Sequence, residues 1–202
     1  MDFIGNDVVY HVARPELSGP EKQVIAGTNM NCIVTGETGV GKTTTCRSFI
    51  KMASARGIHC GGVLSLKTKT GAITAQNIKT GSETILAGLD DNGEGIQVGR
   101  YFFYEDGLEF GRQAIMDAID CDVLIVDELG ALELGGNGFA SAIAVINHHR
   151  KLNAVVVIRR RYLARFLLLF VSPPAVYDVT AYNRETVPGI ILAGQKKFLS
   201  GL

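Results

Sequence analysis

No apolar run in this chain approaches the ~20 residues that a helix needs to cross a bilayer. The greasiest stretch, Leu163 to Val171, is much shorter and is broken by Arg165. The start, Met1-Asp2-Phe3-Ile4, has neither the basic region nor the apolar region of a secretory signal. Net charge is missing too: 20 basic and 20 acidic side chains cancel. The chain as a whole therefore offers no electrostatic footprint for nucleic acid, and only a local basic patch could supply one. The four cysteines, Cys32, Cys46, Cys60 and Cys121, contain no Cys-x-x-Cys pair. That spacing speaks against a metal site and for buried free thiols in a reducing compartment. These absences together predict a cytoplasmic protein with no membrane partner.

What is present suits one well-buried domain: 202 residues, 47% of them hydrophobic. Residues 1–28, with Pro15, Gly19, Pro20 and Gly27, read as a lead-in containing a short strand; residues 29–202 read as the domain. Cys32-Ile33-Val34-Thr35 is a continuous apolar run, the pattern of a strand covered on both faces. Cys46, Phe49, Ile50 and Ala53 recur at helical spacing, and Arg56-Gly57 ends that helix. Between Ile58 and Tyr104 come short strands at Val63 to Leu66, Ala72 to Lys79, Thr84 to Ala87 and Gln97 to Tyr104. Tight turns such as Thr70-Gly71 and Asp91-Asn92-Gly93 link them, which predicts an antiparallel section. Lys67, Lys69 and Lys79 there could touch a polyanion, and read more simply as solvated edge-strand lysines.

Alternating elements then return. A helix is expected from Gly107 to Ile119, then the strand Val123 to Val126, then a helix with Phe139, Ile143 and Ile146 on one face. The strand Ala154 to Ile158, a helix from Tyr162 to Phe170, a strand from Val176 to Thr180 and a last helix from Ile190 complete the chain. The fold class predicted is α/β: a three-layer sandwich with a mostly parallel sheet and an inserted antiparallel section.

Gly36-Glu37-Thr38-Gly39-Val40-Gly41-Lys42-Thr43 matches the Walker A string G-x-x-x-x-G-K-[ST] in full, with Thr44 a further nucleotide-binding candidate in the helix expected from about Lys42. The glycines let the backbone curl around phosphate oxygens, and Lys42 brings a cation to the β- and γ-phosphates. The Thr43 hydroxyl is a Mg²⁺ ligand, and the helix aims its positive end at the same anion. Because the string falls between an expected buried strand and an expected helix, ATP, GTP or a related triphosphate is the predicted ligand. Further on, Val123-Leu124-Ile125-Val126 ends in Asp127-Glu128. A parallel strand with that ending delivers Asp127 to the Mg²⁺ shell and leaves Glu128 to orient and deprotonate an attacking water. The role of Glu128 as base requires one strand between the cradle strand and the acidic strand, an order the sequence does not give.

Together with Gly61-Gly62, Val98-Gly99-Arg100-Tyr101 and, above all, Val126-Asp127-Glu128-Leu129-Gly130-Ala131-Leu132-Glu133-Leu134, these motifs resemble the THEP-type nucleoside-triphosphatases, also called cancer-related NTPases. The resemblance runs from about Asn31 to Arg184 and includes the pair Asn183-Arg184. It implies a P-loop fold, slow Mg²⁺-dependent hydrolysis of nucleoside triphosphates to diphosphate and phosphate with broad base preference, and Glu128 as the catalytic glutamate. Val63-Leu64-Ser65-Leu66 and Arg100 depart from the family's pattern.

A catalytic cation is also expected. Arg184 is the first candidate, in the family pair and just after a strand; Arg159 and Arg160 follow Ile158 and compete with it. Arg159-Arg160-Arg161 with Arg165 could also form a local basic patch for RNA or another acidic partner, and His148-His149 suit a helix end. Glu133 reads either as support for the site or as a loop residue. Competing functions are a nucleotide or nucleoside kinase, for which no arginine-rich lid is evident, and a nucleotide-gated binding module. The absence of Asn-Lys-x-Asp speaks against a Ras-like switch, and nothing in the sequence names a protein partner.

Overall fold

The computed structural model describes residues 9–10, 30–90, 95–149 and 151–199. Most of the lead-in expected at residues 1–28, the turn at Asp91-Asn92-Gly93, and Arg150 lie outside the described residues. In chain order the strands are β1 (Val9–Tyr10), β2 (Asn31–Thr35), β3 (Cys60–Lys67), β4 (Ile73–Asn77) and β5 (Glu83–Gly88), followed by β6 (Ile96–Val98), β7 (Tyr101–Phe103), β8 (Val123–Leu129), β9 (Asn153–Ile158) and β10 (Ala175–Asp178). The helices are α1 (Lys42–Ser54), α2 (Glu105–Met116), α3 (Ala131–Leu134), α4 (Ser141–His148), α5 (Leu163–Leu167) and α6 (Val187–Leu199), with a 3₁₀ turn at Arg160–Tyr162.

All these strands join one sheet, in the order β1-β10-β2-β9-β8-β3-β4-β5-β7-β6. From β10 to β3 the neighbours run parallel, whereas β1 on one side and β4, β5, β7 and β6 on the other are antiparallel. The continuous apolar runs have a direct cause in this arrangement. Ile33, Leu124, Val126, Val156 and Ile158 bury one face of the sheet against Leu108, Ile115, Ile143 and Phe166. Val34, Val123, Ile125, Val155 and Val157 bury the other face against Phe49 of α1 and Ile191 of α6. With helices on both faces, alternation of polar and apolar residues disappears from the central strands. This is the three-layer α/β sandwich with an antiparallel section that the sequence predicts.

Several local expectations need correcting. The strand over Val63 to Leu66 belongs to the parallel core, since β3 pairs parallel with β8 from Cys60↔Val123 to Leu64↔Asp127; the antiparallel section begins only at β4. Gln97 to Tyr104 is a hairpin, β6 and β7, turning at Gly99-Arg100. Helix α2 starts at Glu105, where Glu105 and Asp106 place acids in its first turn and favour an earlier start. The helix expected over Tyr162 to Phe170 shortens to α5, because only Phe166 and Phe170 in that stretch are buried and a longer helix finds little core to pack on. Helix α3 was not foreseen. Cys32, Cys46 and Cys60 are buried free thiols, with Cys121 half-buried.

The Gly61-Gly62 pair has a steric explanation. Gly62 sits at φ 106°, and a Cβ there would lie 2.1 Å from the Ile125 carbonyl oxygen of β8. Both the left-handed backbone and the close approach exclude a side chain. Gly62→Ala is expected to destabilise the fold by more than about 2 kcal/mol. Gly81→Ala, at φ 74° with nothing within 4 Å of the added Cβ, is expected to cost only about 1–2 kcal/mol. Urea unfolding midpoints of the two variants test this ordering, and equal losses would refute it.

Candidate nucleotide site

The phosphate loop leaves the end of β2 and enters α1. Residues Asn31 to Gly36 are buried, whereas Glu37, Thr38 and Gly39 are exposed and Thr44 faces out from the first helical turn. Gly36 packs so closely on the chain after β10 that a Cβ would sit 2.5 Å from the Val179 carbonyl oxygen. Gly41, at φ 106°, is the residue before α1, and its carbonyl accepts from the Thr45 amide at 2.8 Å. Lys42 is buried; its Nζ donates to the carbonyls of Gly36 at 3.1 Å and Glu37 at 2.9 Å. A buried ammonium held by two neutral carbonyls, with no salt bridge among the described residues, is suited to an incoming anion.

The acidic strand end lies across the loop. In the sheet β9 falls between β2 and β8, which is the strand order that the Glu128 reading requires. Asp127 pairs in register with Leu64 of β3 and Val157 of β9, and the β8–β9 register then shifts between Asp127 and Leu129. The irregularity falls on Glu128, re-aiming a side chain as strand bulges beside active sites do. Asp127 is 1% exposed; its carboxyl hydrogen-bonds the Thr43 side chain, and its Oδ2 has no partner. Burial lifts its pKa to about 7, with the Glu128 charge adding to the rise and Thr43, Lys42 and Arg159 opposing it. Glu128 is half-buried and accepts a hydrogen bond from Arg159 Nε. Thr38, Gly39, Gly41, Lys42, Thr43, Glu128 and Arg159 enclose a cavity of about 200 Å³.

The three candidate arginines separate. Arg159, just past β9, lines this cavity. Arg160 is tied between Asp178 and Glu37, bracing the outside of the phosphate loop against β10. Arg184 lies on the opposite flank, its Cδ 3.5 Å from where a Gly41 Cβ would be. Asn183 shapes that flank: its Oδ1 accepts from the Thr180 amide at 2.8 Å and its Nδ2 donates to the Asp178 carbonyl at 3.0 Å. Arg161 turns away to cover the Tyr162 ring. The arginine run thus serves separate tasks and does not present a single face.

Glu133 proves to be structural support, a role the sequence left open. Its Oε2 accepts from the Gly130 amide at 2.7 Å and its Oε1 from the Phe139 amide at 3.2 Å, fixing the backbone that follows Glu128. Burial raises its pKa, against those backbone donors. A glutamate at the third position of a helix is the available signal for such a cap.

Thr43 and Asp127 have the donor chemistry that would suit Mg²⁺. Asp127 Oδ2 is a buried oxygen with no hydrogen-bond partner, beside a hydroxyl, and Mg²⁺ takes hard oxygen donors, one or two of them from protein. Among the described residues no group of three or more His, Cys, Asp or Glu side chains is placed to hold an ion, His148 and His149 included.

Because the folded Asp127 binds its proton more tightly than an unfolded aspartate does, native protein holds more protons between pH 4 and 7. Stability of the nucleotide-free, metal-free protein should therefore fall as pH rises through that window and level off above about 7. Asp127→Asn should flatten the decline. Denaturant titrations at a series of pH values check this, and an unchanged slope in the variant would contradict it.

A family model described as NTPase matches residues 31–192. Nucleoside-triphosphatase THEP1 of Thermococcus kodakarensis is 32% identical over 86% of this chain and 98% of its own length. The protein of the same name from Methanocaldococcus jannaschii is 31% identical over 86% and 99%. Among solved structures, THEP1 from Aquifex aeolicus aligns with a TM-score of 0.59 and 25% identity, covering 81% of this chain and 98% of that one. The solution structure of a human cancer-related nucleoside triphosphatase shares the fold, with a TM-score of 0.64 at 21% identity, over 83% and 98%. The chain belongs to the THEP1-type nucleoside-triphosphatase family of P-loop proteins.

Proposed function

We propose that this protein hydrolyses nucleoside 5′-triphosphates to the diphosphate and phosphate in a Mg²⁺-dependent reaction, with Glu128 as general base. The observation that carries the reading is the placement of Glu128 on the cavity that Lys42 and Thr43 also line, with β9 spacing the acidic strand from the phosphate loop. Space of about 200 Å³ there admits a terminal phosphoryl group and a water, whose share of liquid volume is about 30 Å³.

The phosphate chain lies along Gly36 to Thr44, and Lys42 exchanges its two carbonyl contacts for phosphate oxygens. Thr43 and Asp127 would hold Mg²⁺, which would supply neutralisation of phosphate charge when bound. Glu128 takes a proton from the attacking water as the water oxygen bonds to the γ-phosphorus and the diphosphate leaves. Arg159 serves at the reacting end, since it shares the cavity with Lys42 and Glu128; it orients Glu128 and neutralises charge beside it. Arg184, beside Gly41, contributes along the nucleotide from the other flank. Broad base preference is part of this reading, in keeping with the absence of Asn-Lys-x-Asp.

Phosphate release from ATP, GTP, CTP and UTP is the test. Glu128→Gln should bind Mg·ATP nearly normally and hydrolyse it ~10²–10⁴-fold more slowly. Turnover at the wild-type rate in that variant would remove Glu128 as base. Lys42→Ala should lose binding and activity together. Arg159→Ala should lower kcat more than KM rises, and Arg184→Ala the reverse; the opposite pattern would return the reacting end to Arg184.

A further inference from the structure

A second cavity, of about 450 Å³, adjoins the first, shares Thr38, Thr43, Glu128 and Arg159 with it, and is also lined by Asp127. A hydrolytic water needs about 30 Å³, so this space far exceeds what hydrolysis uses. It falls within the roughly 300–1,000 Å³ typical of small-molecule pockets. Its inner wall is apolar, built by Leu86, Leu108 and Phe139, with the half-buried Tyr101 and Phe103 facing in from the β6–β7 hairpin. Lys67 and Arg100 are exposed members of the lining. Neither forms an ion pair among the described residues; Arg100 is steadied over the Tyr101 ring, 5.1 Å from its centroid, and donates to the Tyr101 hydroxyl at 3.1 Å. Lys67 therefore has a second reading beside that of a solvated edge lysine.

We propose that this cavity binds a phosphoryl acceptor: a small hydroxylated molecule with a flat apolar body and an anionic group distant from its hydroxyl. The aromatic and aliphatic wall suits the flat body, Lys67 and Arg100 attract the anion, and the opening toward Glu128 brings the hydroxyl to the γ-phosphate. In the reaction the acceptor oxygen bonds to the γ-phosphorus as the bond to the β,γ-bridging oxygen breaks. That bonding pair leaves with the nucleoside diphosphate, and the hydroxyl proton passes to Glu128. The acceptor takes the place of water, so the inference rests on the nucleotide site proposed above. A nucleoside monophosphate with its phosphate on the 3′-oxygen and its 5′-hydroxyl free has this chemistry at about the size the cavity allows.

The experiment incubates the whole protein with Mg²⁺ and ATP labelled at the γ-phosphate, together with adenosine, guanosine, cytidine or uridine 3′-monophosphate, and separates labelled organic phosphate from labelled inorganic phosphate. The parent nucleosides, which lack the anion, serve as controls. Labelled organic product is expected, with less from the nucleosides. Reversing both rim charges, Lys67→Glu with Arg100→Glu, should cut transfer about tenfold and leave ATP hydrolysis at its wild-type rate. Inorganic phosphate alone with every acceptor would overturn the inference while leaving the hydrolase intact. A raised KM for ATP in the double variant, without organic product, would assign the cavity to the donor's own nucleoside and overturn it as well. No turnover of any kind would remove the hydrolase reading and this one with it.

Discussion

Lys42 holds its ammonium in the buried wall of the phosphate loop against two carbonyl oxygens, with no salt bridge among the described residues, and the rest of the site depends on that charge. A cation in such a place is costly unless something anionic meets it. Asp127, whose charge interacts with that of Lys42, is itself buried, with a pKa pushed up to about 7 chiefly by that burial. Neither group fully serves the other, and the Asp127 Oδ2 is left without a partner. A folded protein tolerates this arrangement where the missing partners arrive with the ligand. In the proposed reaction phosphate would supply one and a divalent cation the other, so the loop and the strand end are each incomplete in the complementary sense.

The sheet order converts this pair into a reaction site. Were β8 directly beside β2, both strand-end carboxylates would crowd the phosphate loop. With β9 between them, there is room for a nucleophile on the Glu128 side. The register shift after Asp127 then puts consecutive residues to different uses: Asp127 faces the Thr43 hydroxyl, and Glu128 turns to Arg159 on the cavity wall. Glu133 holds the next turn in place by bonding two amides that the short helix α3 would otherwise leave unpaired.

Much of this was legible in the sequence, for a physical reason. Phosphate binding needs closely spaced glycines, a lysine and a hydroxyl, and that chemistry is written contiguously at Gly36 to Thr43. The central strands were legible because burial on both faces leaves uninterrupted apolar runs such as Ala154 to Ile158. Three things were not legible. The parallel pairing of β3 with β8 is a contact between distant segments, and local pattern carries no trace of it. The fates of Arg159, Arg160 and Arg184 depend on which strand ends lie side by side, so adjacent arginines in the sequence face different partners. The hairpin at Gly99-Arg100 was hidden because its strands are only three residues each, too short to show an alternation.

That same hairpin explains why the antiparallel extension does more than widen the sheet. Strands β4 to β7 continue past β3 on the Glu128 side of the phosphate loop, and helix α2 packs onto them so closely that a Cβ on Gly107 would meet the Ile85 carbonyl oxygen at 2.3 Å. The extension is thereby held firmly against the core. A sheet edge built only to be stable would cover its apolar residues or charge them. Here the half-buried Tyr101 and Phe103 stay on the wall of an open space that reaches Glu128. Water alone gives no reason to keep an apolar wall, because it gains nothing from contact with one. The wall is explained by a ligand that does gain from it, and its position fixes where that ligand's reactive group must lie.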